Sequence, residues 1–108
     1  MSAQGIEGES PAGGPDAPET FLLLLYVIGG SPASRRAVGN LRAICDEQLQ
    51  DRYTLEVIDL YEQPALAGER NILAVPTLVK ERPPPANRLI GDLSNRGMVL
   101  AALGLDGP

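Results

Sequence analysis

An uninterrupted apolar segment runs from Phe21 to Ile28 and constrains the fold more than any other feature. Its eight residues are far fewer than the ~20 that a membrane-spanning helix needs. A run of this length, bounded by Gly29 and Gly30, is typical of a strand that is buried on both faces. Such a strand lies inside a sheet and needs helices on each side, which predicts an α/β domain.

The next two segments have strong local patterns. Ser31 is a suitable N-cap, Pro32 is tolerated in a first helical turn, and apolar residues then recur at helical spacing as far as Leu49. Tyr53–Leu60 is rich in branched and aromatic residues and is predicted to be a second strand. A strand, a long helix and a strand form a βαβ unit, so the two strands are expected to be parallel.

Signals are weaker in the middle of the chain. Residues 62–73 are ambiguous. Pro64 can start a helix that Leu66, Ala67, Arg70 and Leu73 continue, but Gly68 weakens that prediction. Residues 74–80 are predicted to be a strand with Pro76 near its beginning.

A short strand over Asn87–Ile90 and a final helix complete the predicted order β-α-β-α-β-β-α. Ser94 or Asn95 caps that helix and Gly104 ends it. Helical spacing assigns one apolar face of it to Met98, Val99, Ala102 and Leu103.

Charge is distributed unevenly along the chain. Residues 1–20 carry four acidic side chains and no basic ones, whereas the other 88 residues hold ten acidic and nine basic side chains. Apart from Met1, Ile6 is the only sizeable apolar residue before Thr20, so residues 1–19 are predicted to be a disordered acidic tail and residues 20–105 a single domain. The nearly neutral domain has no basic stripe, and therefore neither nucleic acid nor a membrane is expected as a partner.

The missing residue types exclude several chemistries. The chain has no histidine and a single cysteine, which rules out a Ser–His or Cys–His pair, a Cys-x-x-Cys redox pair and a thiolate metal cluster within it. Cys45 falls on the apolar face of the first helix and is expected to be a buried thiol. We therefore expect no catalytic residue, cofactor or metal. The absence of disulfides, and of positive charge before the apolar segment, favours a cytoplasmic protein.

The segment Val75-Pro76-Thr77 resembles the x-Pro-Thr segment of the thioredoxin fold, in which a cis proline lies beside the active-site loop. That loop would correspond to residues 29–34 here, which contain no cysteine. The resemblance implies a thioredoxin-like fold without its redox chemistry.

A closer resemblance covers residues 21–103. It rests on several segments whose order and spacing are similar to those of the KaiB family of cyanobacterial circadian-clock proteins. These segments are Leu25-Tyr26-Val27, Ser31-Pro32-x-Ser34, Val57-Ile58-Asp59, Ile72-Leu73-Ala74-x-Pro76-Thr77, Pro83-Pro84-Pro85 and Ile90-Gly91-Asp92-Leu93-Ser94-Asn95-Arg96.

The resemblance implies a function that composition does not show. KaiB-like proteins have no catalytic activity and bind the N-terminal ATPase ring of KaiC, a hexameric RecA-like autokinase. In cyanobacteria they then sequester KaiA. A related domain forms the N-terminal part of a sensor histidine kinase that competes for the same ring. They are also metamorphic, since a tetramer with an unusual C-terminal half interconverts with a thioredoxin-like monomer that binds KaiC.

Two residue sets follow as expectations from this resemblance. The exposed side of the second strand and the following helix is expected to bind the partner, through Glu56, Asp59, Glu62, Leu66, Arg70 and Asn71. The change of fold is expected to involve Pro76, Gly91, Asp92, Ala102 and Gly104.

Two departures from the family pattern bear on these expectations. Ala102 stands where glycine is common and favours helix by about 1 kcal/mol. Glu56 stands where lysine is usual, which suggests a co-evolved ring.

Alternative hypotheses stay open at this point. Pro76 is either a switch element or a structural cis proline, and Asp59 is either a partner contact or an ordinary strand-end acid. The whole chain is alternatively a thioredoxin-like redox or holdase protein, which requires a reactive Cys45, or a stand-alone sensor module of a two-component kinase. A dimer or tetramer of the chain is compatible with each of these functions.

Overall fold

The computed structural model describes residues 20–105. Within that range the elements are β1 (Phe21–Val27), α1 (Pro32–Gln48), β2 (Tyr53–Asp59), α2 (Ala65–Glu69), β3 (Thr77–Arg82), β4 (Asn87–Ile90) and α3 (Arg96–Leu103). This order confirms the predicted β-α-β-α-β-β-α arrangement. The predicted acidic tail at residues 1–19 lies outside the described residues.

The four strands form one sheet in the order β2-β1-β3-β4. β2 is parallel to β1, whereas β3 is antiparallel to both β1 and β4. The long apolar segment of the sequence is therefore an interior strand, because β1 has a neighbour on each side.

Alternate residues of β1 enter two separate hydrophobic clusters. Leu23 and Leu25 pack in a cluster with α1 and α3, whereas Leu24 and Tyr26 pack in a smaller cluster that includes residues of α2. Because β1 is buried on both faces, the sheet has helices on both sides, as the sequence predicts. The larger cluster holds most of the buried apolar side chains.

α1 is the longest helix, with 17 residues, and its beginning matches the expectation. The hydroxyl of Ser31 accepts a hydrogen bond from the N–H of Ser34 at 3.3 Å, which satisfies one of the free N–H groups of the first turn. The inward face of α1 is lined by Ala37, Leu41, Ile44 and Cys45.

Two boundaries in the middle of the chain differ from the sequence prediction. α2 ends at Glu69, because the chain turns at Asn71 with a positive φ of 56°. Leu73, which the sequence pattern assigned to the helix, is 93% exposed in the loop that follows. β3 begins at Thr77 rather than at residue 74, so Val75 and Pro76 belong to the same loop, where their peptide bond is cis.

α3 has Asn95 as its N-cap, with Oδ1 accepting a hydrogen bond from the N–H of Met98 at 3.1 Å. Val99 and Leu103 are buried in the larger cluster, whereas Met98 is 54% exposed. The prediction that Met98 lies on the buried face is therefore wrong.

Gly104 ends α3 in the left-handed conformation, with φ at 77°. A Cβ at this position would lie 3.8 Å from Nζ of Lys80, which is itself buried on β3. A Cβ would thus make only an ordinary van der Waals contact, so lack of space does not explain the glycine. Glycine is needed here because of the left-handed backbone conformation.

We predict that Gly104→Ala lowers the free energy of unfolding by about 1 kcal/mol, since a residue with a Cβ is strained at this φ. Gly39→Ala is the matched control. Gly39 lies inside α1 with open space around it, so the added methyl is expected to stabilise the helix by about 0.5–1 kcal/mol. Urea unfolding followed by circular dichroism measures both changes, and a Gly104→Ala variant as stable as the wild type would contradict the assignment.

Candidate docking surface

β2 forms one edge of the sheet in the described part of the chain, where β1 is its only neighbour. The backbone groups on its outer side are therefore available to another molecule, as on any edge strand. Glu56 and Val57 of this strand are exposed. An acidic residue on an edge strand also discourages unspecific pairing between copies.

The face of the sheet that carries Glu56 is also the face covered by α2. Glu56 is opposite Leu24 in the parallel ladder, and Leu24 belongs to the smaller hydrophobic cluster. Leu66 of α2 is half-buried against the same cluster, so much of its side chain holds α2 to the sheet. β2 and α2 thus form one continuous surface, which we call the β2–α2 surface and define as residues 56–71.

Asp59 connects the end of β2 to the loop after β1. Its Oδ1 accepts hydrogen bonds from the N–H of Gly29 at 2.9 Å and from the N–H of Tyr61 at 2.8 Å. One carboxylate oxygen of Asp59 therefore has an internal function, which the sequence left open. Glu62 follows in the turn and is exposed.

The C-terminal end of the surface is anchored by an arginine. Nη1 of Arg70 donates a hydrogen bond to the hydroxyl of Tyr26 at 2.9 Å. Tyr26 is 1% exposed, so this bond satisfies a hydroxyl that water does not reach. Of the residues predicted to bind a partner, Glu56, Glu62 and Asn71 are exposed, whereas Asp59, Leu66 and Arg70 also make internal contacts.

An apolar groove of about 320 Å³ overlaps the β2–α2 surface and extends beyond it to residues 72–75. Sequence patterns did not identify it, because they assigned Leu73 to a helix and Val75 to a strand, whereas both lie in an exposed loop. The groove is lined by Ile28, Leu60, Pro64, Ala67, Ile72, Leu73, Ala74 and Val75.

Three of the predicted fold-switch residues lie close together. The N–H of Gly91, which has a φ of 125°, donates a hydrogen bond to the carbonyl oxygen of Pro76 at 2.9 Å. Asp92 follows directly, and its Oδ2 accepts a hydrogen bond from Nε of Arg36 at 3.0 Å. Hydrogen bonds from Ser94, and then from Arg36, hold the pKa of Asp92 below its ordinary value. The carboxylate therefore stabilises this turn at neutral pH, and that contribution is lost as the pH falls through the lowered pKa.

The other two predicted fold-switch residues lie at the opposite end of β4. The carbonyl oxygen of Ala102 accepts a hydrogen bond from Nδ2 of Asn87 at 3.1 Å, and Gly104 follows at the end of α3. The five residues thus form two groups, one at each end of the β4 strand.

Cys45 is fully buried in the larger cluster. Burial and the neighbouring Asp46 carboxylate raise the pKa of the Cys45 thiol to about 12, while Arg42 acts in the opposite direction. A protonated, inaccessible thiol is a poor nucleophile, which argues against the redox hypothesis. Residues 20–105 contain no group of metal-ligating side chains that would hold an ion, and none of their helices is long and apolar enough to cross a membrane.

A model of the KaiB domain matches residues 24–105. The chain belongs to the KaiB family. It is 49% identical over 86 residues to the circadian clock protein KaiB3 of Synechocystis sp.. The aligned region covers 80% of this chain and 82% of that protein. It is 51% identical over 89 residues to a circadian clock oscillator protein KaiB of Prochlorococcus marinus, covering 82% and 85% of the two chains.

Solved structures confirm the thioredoxin-like fold of this KaiB-family chain. The N-terminal domain of Synechococcus elongatus SasA has a TM-score of 0.67 at 26% identity, over 90% of this chain and 94% of that one. Chloroplastic thioredoxin z has a TM-score of 0.66 at 21% identity, over 82% and 80% of the two chains, and this likeness shows the fold alone.

We predict that iodoacetamide labels Cys45 in the folded protein about 100-fold or more slowly than in urea, because the thiol is buried and its pKa is raised. Mass spectrometry over time at pH 8 gives both rates. A Cys45→Ala/Ala43→Cys variant is the control, since Ala43 lies on the exposed face of the same helix and its cysteine should label quickly. Equally rapid labelling of Cys45 in the folded wild type would restore the redox hypothesis.

Proposed function

We propose that this protein is a non-enzymatic regulatory component of a circadian clock or a related timing or stress system. It acts by docking on the N-terminal ATPase ring of a KaiC-type hexamer. Family membership supports this function, together with about 50% identity to clock proteins over four fifths of the chain. The same relatives support a regulatory protein rather than an enzyme.

The observation that carries the docking mode is the β2–α2 surface itself. Within residues 20–105, it combines an open strand edge with the exposed carboxylates of Glu56 and Glu62 and with part of an apolar groove. Unpaired backbone groups and exposed side chains of this kind are what an edge strand offers to a protein partner. Because these carboxylates are negative, the complementary face of the ring carries basic side chains.

Affinity for the ring depends on the fraction of the chain that adopts the thioredoxin-like arrangement. A fraction held in another fold, such as the tetramer-type fold of the family, reduces apparent binding in proportion. The two groups of residues at the ends of β4 are the proposed control points. KaiA, where the organism has one, and additional copies of the chain are further proposed partners.

A second candidate function is a stand-alone sensor module that acts on a histidine kinase. The similarity to the SasA N-terminal domain favours it, because that likeness extends over 90% of the chain. The two functions differ in the partner that is bound. A sensor module binds the kinase directly, whereas a clock regulator needs only the ring.

We predict that Glu56→Lys and Glu62→Lys each weaken capture by the organism's own KaiC-type hexamer by about tenfold, because each reverses a charge on the docking surface. Glu81→Lys is the matched control, since Glu81 is an exposed residue of β3, away from this surface, and should bind like the wild type. Arg70 is left intact in this set because its guanidinium satisfies the buried Tyr26 hydroxyl.

Co-elution in the presence of ATP measures the complex, with phosphomimetic and non-phosphorylatable forms of the hexamer tested in parallel. A stoichiometric complex of the wild-type chain with one form identifies a component that detects phosphorylation. Unchanged capture of both lysine variants would remove the β2–α2 surface from the mechanism. Failure of the wild type with both forms, after hours of incubation, would remove the ring as the partner.

A further inference from the structure

α2 is too short to hold its own position. It has only five residues, whereas isolated helices shorter than ~12–15 residues are marginal in water. Pro64 at its N-terminus makes no side-chain capping hydrogen bond, and none of its residues is fully buried. The order of this part of the β2–α2 surface must therefore come from contacts with other elements.

Arg88 makes the most direct of these contacts. It lies on β4 opposite Val79, which is a member of the smaller hydrophobic cluster, so its side chain extends over the face of the sheet that α2 covers. Nη1 of Arg88 donates a hydrogen bond to the carbonyl oxygen of Asn71 at 2.7 Å, and Nη2 donates one to the carbonyl oxygen of Arg70 at 2.5 Å.

One guanidinium group thus bridges two consecutive carbonyl groups at the point where α2 ends. The last carbonyls of a helix have no partner within the helix, and a planar fork of N–H donors suits two neighbouring acceptors. The contact joins residues that are 17 and 18 positions apart in the chain. It fastens the end of α2 to the outermost strand of the sheet.

The segment that Arg88 holds has an unusual backbone. Asn71 adopts a φ of 56°, and the chain returns toward the sheet through a hydrogen bond from the N–H of Ile72 to the carbonyl oxygen of Ala67 at 2.8 Å. Among residues other than glycine, asparagine adopts this φ most readily, and it commonly ends a helix there. The Arg88 bridge acts on the carbonyl oxygen of Asn71 itself.

We propose that Arg88 is the positioning residue of the docking surface, and that it makes the order of residues 70–72 depend on the pairing of β4 with β3. β4 has only four residues and pairs with β3 alone within the described part of the chain. Any state in which β4 leaves β3 withdraws both hydrogen bonds, and the end of the β2–α2 surface loses its support. The identity of the docked partner rests on the proposed function, whereas the bridge itself does not.

Amide hydrogen exchange tests the bridge without a partner. The N–H groups of Arg70, Asn71 and Ile72 are hydrogen-bonded to Leu66, Gly68 and Ala67, and therefore report on this turn. Arg88→Gln is expected to accelerate their exchange about tenfold or more, with little change at Leu23 and Leu25 in the core. Arg88→Lys should give an intermediate rate, because one ammonium group cannot reproduce the planar fork.

Arg82→Gln is the matched control. It removes the same charge from an exposed residue of β3 whose side chain makes no hydrogen bond to another described residue, so its exchange pattern should match that of the wild type. Unchanged exchange in Arg88→Gln would overturn the bridge. An equal acceleration at all amides would also overturn it, because this would be a general loss of stability.

Capture by the KaiC-type hexamer then tests the coupling to docking, at a temperature where circular dichroism shows every variant folded. Arg88→Gln should bind about tenfold more weakly, Arg88→Lys should recover part of the loss, and Arg82→Gln should bind like the wild type. Normal binding by Arg88→Gln, despite faster exchange at residues 70–72, would overturn the positioning role. If the wild type itself fails to bind, the proposed function fails, and the exchange rates still decide whether the bridge exists.

Discussion

The fold depends on the burial of β1 on both faces. Leu23 and Leu25 require a cover on one side of the sheet, and Leu24 and Tyr26 require one on the other. The two faces of the sheet differ greatly in how much helix packs against them within the described residues. α1 and α3 bury the first side thoroughly, whereas the second side has the five residues of α2 and the loop that follows.

Arginine side chains compensate for the thin cover on that second side. Tyr26 brings a hydroxyl into a cluster that is otherwise apolar, and Arg70 donates a hydrogen bond to that hydroxyl. Arg88 in turn donates a hydrogen bond to the backbone carbonyl oxygen of Arg70. A buried hydroxyl is costly to leave unpaired, and the last carbonyls of a helix lack a partner within the helix. These contacts therefore stabilise a helix that hydrophobic burial alone would hold weakly.

Sequence patterns predicted β1, α1 and β4 accurately, because local signals and burial agree there. They extended α2 too far and began β3 too early, since the left-handed turn at Asn71 leaves no trace in apolar spacing. They also placed Met98 on the same face as Val99 and Leu103, although Met98 is exposed and the other two are buried. Family resemblance was the basis for proposing residues 56–71 as the docking region. The function of Arg88 was not predictable, because it depends on which residue of β4 is opposite Val79.

The two edges of the sheet are unequal, and this limits how such a protein can assemble. Within residues 20–105, β2 offers seven residues along an open edge, whereas β4 offers four and follows the proline-rich segment at residues 83–85 after one residue. Short strands and nearby prolines make an edge a poor template for further pairing. Copies of the chain that pair through their β2 edges would therefore form a closed dimer, because each remaining β4 edge is a poor template for a further copy. The geometry favours closed complexes of fixed stoichiometry over open-ended fibres.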